Sequence, residues 1–372
     1  MERSPYLPAT PMMELRGKRI LLISPEPWHG LHMSKHHLAQ ALAARDNAVY
    51  FLDPPRPGQH AITTERQGDV TVVRYFHWLR GVNRLPLGIN TWYYGRLIQA
   101  IATRTGGPFD ILWCFDTSRL QAFPEGLGLK LLHLADYDIL YTGKGLIPTA
   151  DLILTTGQVV ADAVRDRARC RVVNIGHALD TRWTKDAERL AERTRPAVRH
   201  ALFMGQLAIS YNDWEGFVKV VSRHPDIRFT FIGPYDPAFP DPAFHQLLAL
   251  PNAEFTGLKA KDELVPLVRD ADLLFFGFRS ATRAKERANP HKVLEYLSTG
   301  NVVVGSYTME YAGRDDLMVM APEGGDLNAA FDRALEGFAE LDAPAQRRRR
   351  IAFALARTMP ALIARIENEL PR

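Results

Sequence analysis

Short apolar runs, many of them β-branched, alternate along this chain with longer stretches whose apolar positions recur at helical spacing. The short runs read as strands buried on both faces, and the longer stretches as helices that cover them. In the first half, strands are expected at 19–24, 48–53, 70–75, 110–115, 130–134, 152–155 and 172–175. The rhythm restarts at 200–204 and continues through 228–232, 254–255, 272–276 and 301–305. Helical spacing predicts helices over 214–221, 243–250, 262–268 and 290–299, and Ser34 is placed to cap one carrying Leu38, Ala41 and Leu42. Strands alternating with helices are the pattern of parallel α/β domains. A chain of 372 residues has room for two, each with its own core. The expected division is a flexible tail (1–17), an N-terminal domain (18–180), a polar, charge-rich linker (181–199), a C-terminal domain (200–345) and closing helices (346–372) broken near Pro360. Ligands of open α/β sheets bind outside the carboxyl ends of the strands, so each loop after a strand is a candidate site.

Composition changes this picture little. Hydrophobic content of 46% and charged content of 24% are those of an ordinary globular protein. Cys114 and Cys170 lie in or beside apolar runs, which favours buried free thiols and a reducing cytoplasm. No apolar run approaches the ~20 residues of a membrane span, and residues 1–16 lack the apolar region of a signal peptide. The net charge of +4 is unevenly spread. Arg347 to Arg350 form an unbroken basic run, and Arg80, Arg84, Arg96 and Arg104 lie among Trp78, Leu79, Leu85, Leu87, Trp92, Tyr93 and Tyr94. Cations mixed with Trp and Tyr suit the surface of an anionic membrane. A solvated Arg run beside a partly buried aromatic helix, or a protein or acceptor contact, fits the same residues. No nucleic-acid-binding motif accompanies the charge.

The most specific stretch is Asn289-Pro290-His291-Lys292-Val293-Leu294-Glu295-Tyr296-Leu297-Ser298-Thr299-Gly300-Asn301, followed by three valines. It reads as a helix capped by Asn289, with Pro290 at its first position and Gly300 at its stop, running into a buried strand. Lys292 and Glu295 project from one face near the positive end of the helix. Backbone N–H groups and a lysine suit a diphosphate, and a carboxylate one turn on suits the two hydroxyls of a ribose. A surface helix with a local ion pair is the plainer alternative.

This segment resembles the nucleotide-sugar-binding motif of GT-B glycosyltransferases, Pro-x-Lys-x-x-Glu-Tyr-x-x-x-Gly before a Val-rich strand. It is most similar to bacterial enzymes that build exopolysaccharides and teichuronic acids. Three further stretches resemble family elements in the expected order: Ala271 to Arg279, Ala150 to Thr156, and Asn174 to Asp180. The resemblance implies two Rossmann-like domains facing a cleft, with the last helix crossing back to the N-terminal domain. Many retaining members carry an acid eight residues before the ribose-binding Glu. That position holds Arg287 here, with Glu286 one place off register, which leaves inverting or retaining chemistry open.

By the same resemblance, Gly205 and Gln206 after one strand, Gly233 after the next, and Gly257 and Leu258 after a third bracket the nucleotide, with the backbone at Leu258 meeting the base. Tight turns are the alternative for the glycines. Arg279 and Lys292 are the diphosphate candidates and Glu295 the ribose candidate, with His291 and Leu294 on the same helix. The N-terminal domain would hold the acceptor and a base to deprotonate its hydroxyl. The candidates there are Asp136, then Glu26 and His29, with Trp28 available to stack on a sugar. His177 either reaches the donor or is a backbone-bonded buried histidine. No clustered Asp-x-Asp suggests a metal. Helix dipole and cations suffice to stabilise a departing diphosphate, so no cofactor is required.

The expected protein is a cytoplasmic glycosyltransferase, peripheral on the inner face of the membrane. It would use a UDP- or GDP-sugar donor and a glycan or lipid-linked acceptor in cell-surface polysaccharide assembly. A GT-B-like nucleotide-sugar epimerase and a non-catalytic sugar-nucleotide-binding subunit are the rivals, since fold does not fix function.

Overall fold

The structure is a computed structural model that describes residues 14–371 except 31, 57, 80, 136, 138–144, 280–284, 286 and 287. The described chain divides into two compact units. One contains the residues up to Gly176 and those from Met359 onward; the other runs from His177 to Thr358.

The first unit is built on β1 (Arg19–Ile23), α1 (Ser34–Ala43), β2 (Ala48–Leu52), β3 (Thr63–Gln67), β4 (Val70–Arg74), α2 (Leu87–Arg104), β5 (Ile111–Cys114), β6 (Leu129–Leu134), β7 (Leu152–Thr155), α3 (Gln158–Arg165) and β8 (Arg171–Asn174). The strands form one sheet in the order β3-β4-β2-β1-β5-β6-β7-β8, parallel throughout except for β3 at the edge. β3 was not expected from the sequence. Its TTERQ has neither an apolar run nor a buried residue, so only its pairing with β4 defines it. The central strands β1, β5 and β7 are almost wholly buried, as continuous apolar runs require when helices cover both faces.

The second unit contains α4 (Ala187–Glu192), β9 (His200–Met204), α5 (Trp214–Arg223), β10 (Arg228–Ile232), α6 (Pro242–Leu248), β11 (Ala253–Gly257), α7 (Lys261–Asp270), β12 (Leu273–Phe276), α8 (His291–Ser298), β13 (Val302–Gly305), β14 (Val319–Met320), α9 (Leu327–Glu336), α10 (Phe338–Leu341) and α11 (Pro344–Leu355). Its sheet is parallel in the order β11-β10-β9-β12-β13-β14. The core is rich in phenylalanine. Phe203, Phe217, Phe229, Phe231 and Phe275 are fully buried and meet in edge-on or tilted pairs, the arrangement that ring quadrupoles favour.

Several sequence expectations are corrected here. Residues 181–199 are not a linker: a 3₁₀ turn and α4 lie within the second unit, where buried Leu190 packs with Ile351 of α11. Of the closing helices, α11 belongs to the second unit and only α12 (Met359–Glu369) to the first, where it packs on α1. Leu15, expected in the flexible tail, is fully buried; its N–H donates to Glu367 at 2.8 Å and its carbonyl accepts from Asn47 at 2.8 Å. Cys114 is buried as expected, but Cys170 is only half-buried.

The basic run is not one solvated surface: Arg348 and Arg349 are exposed, but the other two guanidiniums turn inward. Arg347 and Arg350 are buried, on the inner face of α11. Arg347 donates to the Thr299 carbonyl at 3.2 Å and pairs with Asp342 at 2.6 Å, while Arg350 donates twice to the Gly300 carbonyl. Both guanidiniums therefore satisfy carbonyls at the C-terminal end of α8, where cations are electrostatically favoured. Periodicity explains the split: within a run of four on a helix, only positions three apart share a face.

Candidate functional site

In the second sheet the strand order reverses at β9, with β10 on one side and β12 on the other. Such a switch point opens a crevice at the carboxyl ends of the strands. The expected glycines lie there side by side. The Gly205 N–H donates to the Ile232 carbonyl at 2.9 Å and the Gly233 N–H to the Gly257 carbonyl at 3.0 Å. Gly205 has φ +153° and Gly233 φ +150°, values L side chains rarely adopt. A Cβ on Gly233 would stand 1.7 Å from the Gly205 carbonyl oxygen, and one on Gly205 would stand 2.6 Å from Lys292 Nζ. These two glycines let the strand ends and the lysine crowd together.

Helix α8 enters this edge with its first turn uncapped by any side chain. The cap position is Pro290, in extended conformation, not Asn289, and the helix begins one residue later than expected. The Asn289 carbonyl accepts a bond from His177 Nε2 at 2.9 Å. At the other end Gly300, at φ +72°, ends the helix as expected.

Lys292 is brought to the glycines by α8. Its ammonium lies 4.2 Å from the centre of the Phe203 ring and 5.7 Å from that of Phe278. Among the described residues no carboxylate forms an ion pair with it. Burial pushes its pKa down to about 8, with only the more distant Glu295 acting to raise it. Glu295 lies three residues further along α8. Burial raises its carboxyl above the ordinary range; His291 and Lys261 oppose the shift, and Asp180 adds to it. His291 Nδ1 is 3.7 Å from Glu295 Oε1, and Lys261 Nζ is 3.4 Å from Asp180 Oδ2. His177 is the backbone-bonded histidine of the two alternatives. Burial and the neighbouring His291 lower its pKa to about 3, so it is neutral and Nε2 carries the proton.

The remaining donor candidates divide. Gln206 is exposed, its carbonyl accepting from Asn212, and Leu258 is 76% exposed beside Gly257. Arg279 reaches this edge on the loop after β12, but its guanidinium is paired with Asp241 at 2.6 Å. The Leu294 side chain is buried in the core, because it lies on the inner face of α8 with Val293 and Leu297. Tyr296, given no role from the sequence, accepts the Met204 N–H at 2.8 Å and so fixes α8 against the end of β9. Its position one residue beyond Glu295 was the available signal.

In the first unit Asp136 lies outside the described residues. Glu26 is half-exposed and paired with the buried ammonium of Lys35. His29 is exposed, with Nε2 accepting from Arg74 at 2.8 Å and lying 3.9 Å from Glu65. Trp28 is corrected: it is 4% exposed, packed on Phe51, His32 and His36, and its backbone N–H donates to Asp53 Oδ1. An indole sealed in the core cannot stack on a sugar. The loop is anchored by a group that sequence reasoning missed. Buried Arg119 donates to the Ser24 and Asp53 carbonyls and to the Tyr75 hydroxyl while paired with Asp116, tying together the ends of four strands.

The fold is that of GT-B glycosyltransferases. A trehalose-6-phosphate synthase from E. coli, bound with UDP-2-fluoro glucose, superposes with a TM-score of 0.64 at 13% identity, covering 95% of this chain and 98% of that one. The trehalose 6-phosphate synthase of Burkholderia multivorans gives 0.64 at 12% identity, with 95% and 98% covered. Anabaena HepE, in complex with UDP and glucose, gives 0.62 at 12% identity, with 94% and 98% covered. No protein-family model matches the sequence, and no curated protein matches it.

Proposed function

We propose that this protein is a glycosyltransferase that moves a sugar from a nucleoside-diphosphate donor, UDP- or GDP-linked, to a hydroxyl of a glycan or lipid-linked acceptor. The observation that carries the reading is Lys292. It is an ammonium drawn out of water onto two aromatic rings, beside strand-end glycines and an uncapped helix start, without a carboxylate partner among the described residues. A cation in that state gains most from an anionic ligand that brings its own oxygens to the backbone N–H groups. Glu295, three residues further along α8, supplies the acceptor for the ribose hydroxyls, and the backbone at Leu258 supplies the edge for the base. UDP in two of the similar structures supports a uridine donor.

In the reaction the bond from the anomeric carbon to the diphosphate oxygen breaks and a bond to the acceptor oxygen forms. Lys292 and the α8 N-terminus stabilise the charge left on the departing diphosphate. The acceptor proton passes to a base of the first unit, with Glu26, His29 and Asp136 the candidates. In this reading the first unit recognises the acceptor and the second the donor. Surface-polysaccharide assembly is the setting that fits a lipid-linked acceptor, which places the enzyme at the inner face of a membrane.

The test is calorimetric titration with UDP, GDP and ADP and their sugar conjugates, on wild type and on Glu295→Ala. One nucleotide bound by wild type and weakened by Glu295→Ala is the expected result. Release of nucleotide only in the presence of acceptor marks a transferase; turnover of the sugar nucleotide without acceptor marks the epimerase. No binding by any nucleotide overturns the reading.

A further inference from the structure

Helix α2 presents an outer face that water does not explain. Its inner face, with Tyr93, Tyr94, Leu97, Ile98 and Ile101, is buried against the sheet. Where a solvated helix would carry charge, it exposes Ile89 (44%) and Trp92 (56%). Trp78, from the preceding loop, is 50% exposed and meets Trp92 edge-on at 5.9 Å, and Leu87 is 51% exposed at the start of the helix. Clustered exposed apolar side chains mark a contact surface, whereas scattered ones do not.

Charge selects the partner. Residues 70–109 contain no Asp or Glu but include Arg74, Arg80, Arg84, Arg96 and Arg104; Arg84 and Arg96 are exposed, and Arg96 lines the same groove as Trp92. Protein interfaces surround an apolar centre with a polar rim; the sequence flanking this one carries cations, and Glu125 is the one acid among the residues lining the groove beside it. Indoles sit at headgroup depth in a bilayer, and guanidiniums bind lipid phosphates. A groove of about 480 Å³ runs beside the helix, between Leu87, Trp92 and Gly95 on one side and Phe123 and Pro124 on the other. Gly95 permits the close approach that forms its floor, since a Cβ there would stand 3.3 Å from Pro124 Cβ.

We infer that this face of the first unit docks on an anionic lipid bilayer. Trp78 and Trp92 enter the headgroup layer, Arg84 and Arg96 engage lipid phosphates, and one acyl chain of the bilayer lies in the groove. The inference deepens the proposed function by naming the surface that would bring the enzyme to a lipid-linked acceptor, and rests on that reading only for this purpose. Its residues are in the first unit and the donor residues in the second, so the two stand or fall separately.

The test uses the full chain and vesicles made of equal parts phosphatidylcholine and phosphatidylglycerol. Of the six tryptophans, Trp28, Trp113, Trp183 and Trp214 are buried, so bilayer-borne quenchers reach only Trp78 and Trp92. Cosedimentation at low salt that weakens as salt rises is expected. Brominated acyl chains should quench wild-type fluorescence but not that of Trp78→Phe/Trp92→Phe. Arg84→Gln/Arg96→Gln should lower the partition coefficient roughly 25-fold, at ~1 kcal/mol per cation. Absence of binding at low salt overturns the inference and leaves a protein partner as the occupant. Binding without quenching, or equal binding to pure phosphatidylcholine, overturns it as well. A UDP titration run alongside separates the cases: normal nucleotide binding without vesicle binding sinks the docking surface alone.

Discussion

Gly233→Ala isolates the steric logic of the strand ends at the switch point of the second sheet. The added Cβ would stand 1.7 Å from the Gly205 carbonyl oxygen, against a floor of 3.0 Å for real contacts, so the ends of β9 and β10 must part by about 1.3 Å. The oxygen is backbone one residue beyond β9, held by the Gly205 N–H bond to the Ile232 carbonyl, and does not swing away as a side-chain end would. The φ of +150° adds strain of about 1–3 kcal/mol, and overpacking typically costs about 1–3 kcal/mol more. A total of roughly 2–6 kcal/mol corresponds to a melting temperature lower by roughly 5–20 °C for units of this size. Gly257→Ala is the control. Its φ is +72° but its Cβ would meet nothing within 4 Å, so only the left-handed penalty of about 1–2 kcal/mol applies. Gly205→Ala differs again: its Cβ would meet the movable end of Lys292, so beyond its own backbone strain the effect should fall on nucleotide binding. Thermal unfolding and UDP calorimetry on the three variants give the comparison. If Gly233→Ala melts within a degree or two of Gly257→Ala and binds UDP like wild type, the proposed crowding of strand ends is wrong.

Three further outcomes are expected. Lys292 has a pKa near 8 in the free protein, and an engaged diphosphate raises it. UDP binding should therefore take up a proton above pH 8 and weaken as pH rises, an effect that calorimetry in buffers of different ionisation enthalpy detects and Lys292→Met removes. His177, depressed to about 3, binds fewer protons folded than unfolded between pH 3 and 6.5, so stability should fall as pH drops through that window. His177→Gln should flatten this part of the urea-melt pH profile. Asp342→Ala leaves fully buried Arg347 without its carboxylate and should cost about 3–5 kcal/mol in urea melts, whereas Arg348→Ala, whose pair with Glu192 is exposed, should change stability by less than about 1 kcal/mol.

The alternating pattern by itself determined two parallel α/β units, because a strand buried on both faces must be apolar at every position, whatever its neighbours. The strands from β9 to β13 and the stop of α8 at Gly300 follow from local chemistry of this kind. So does the approach of Gly205, Gly233, Lys292 and Glu295, since each sits at a strand end or on the first turns of a helix whose place the fold dictates. Tertiary structure decided what depends on partners distant in sequence. β3 exists only through β4. Asn289 lost the capping position while its carbonyl bonds to His177, 112 residues away. Trp28 looked like a sugar platform because its loop is polar, yet Phe51 and His36 close over it. The run from Arg347 to Arg350 looked like one surface, but helical geometry turned two of its guanidiniums inward onto the end of α8. Composition reports how much charge a segment carries; only packing determines which charges meet water and which hold α8 in place.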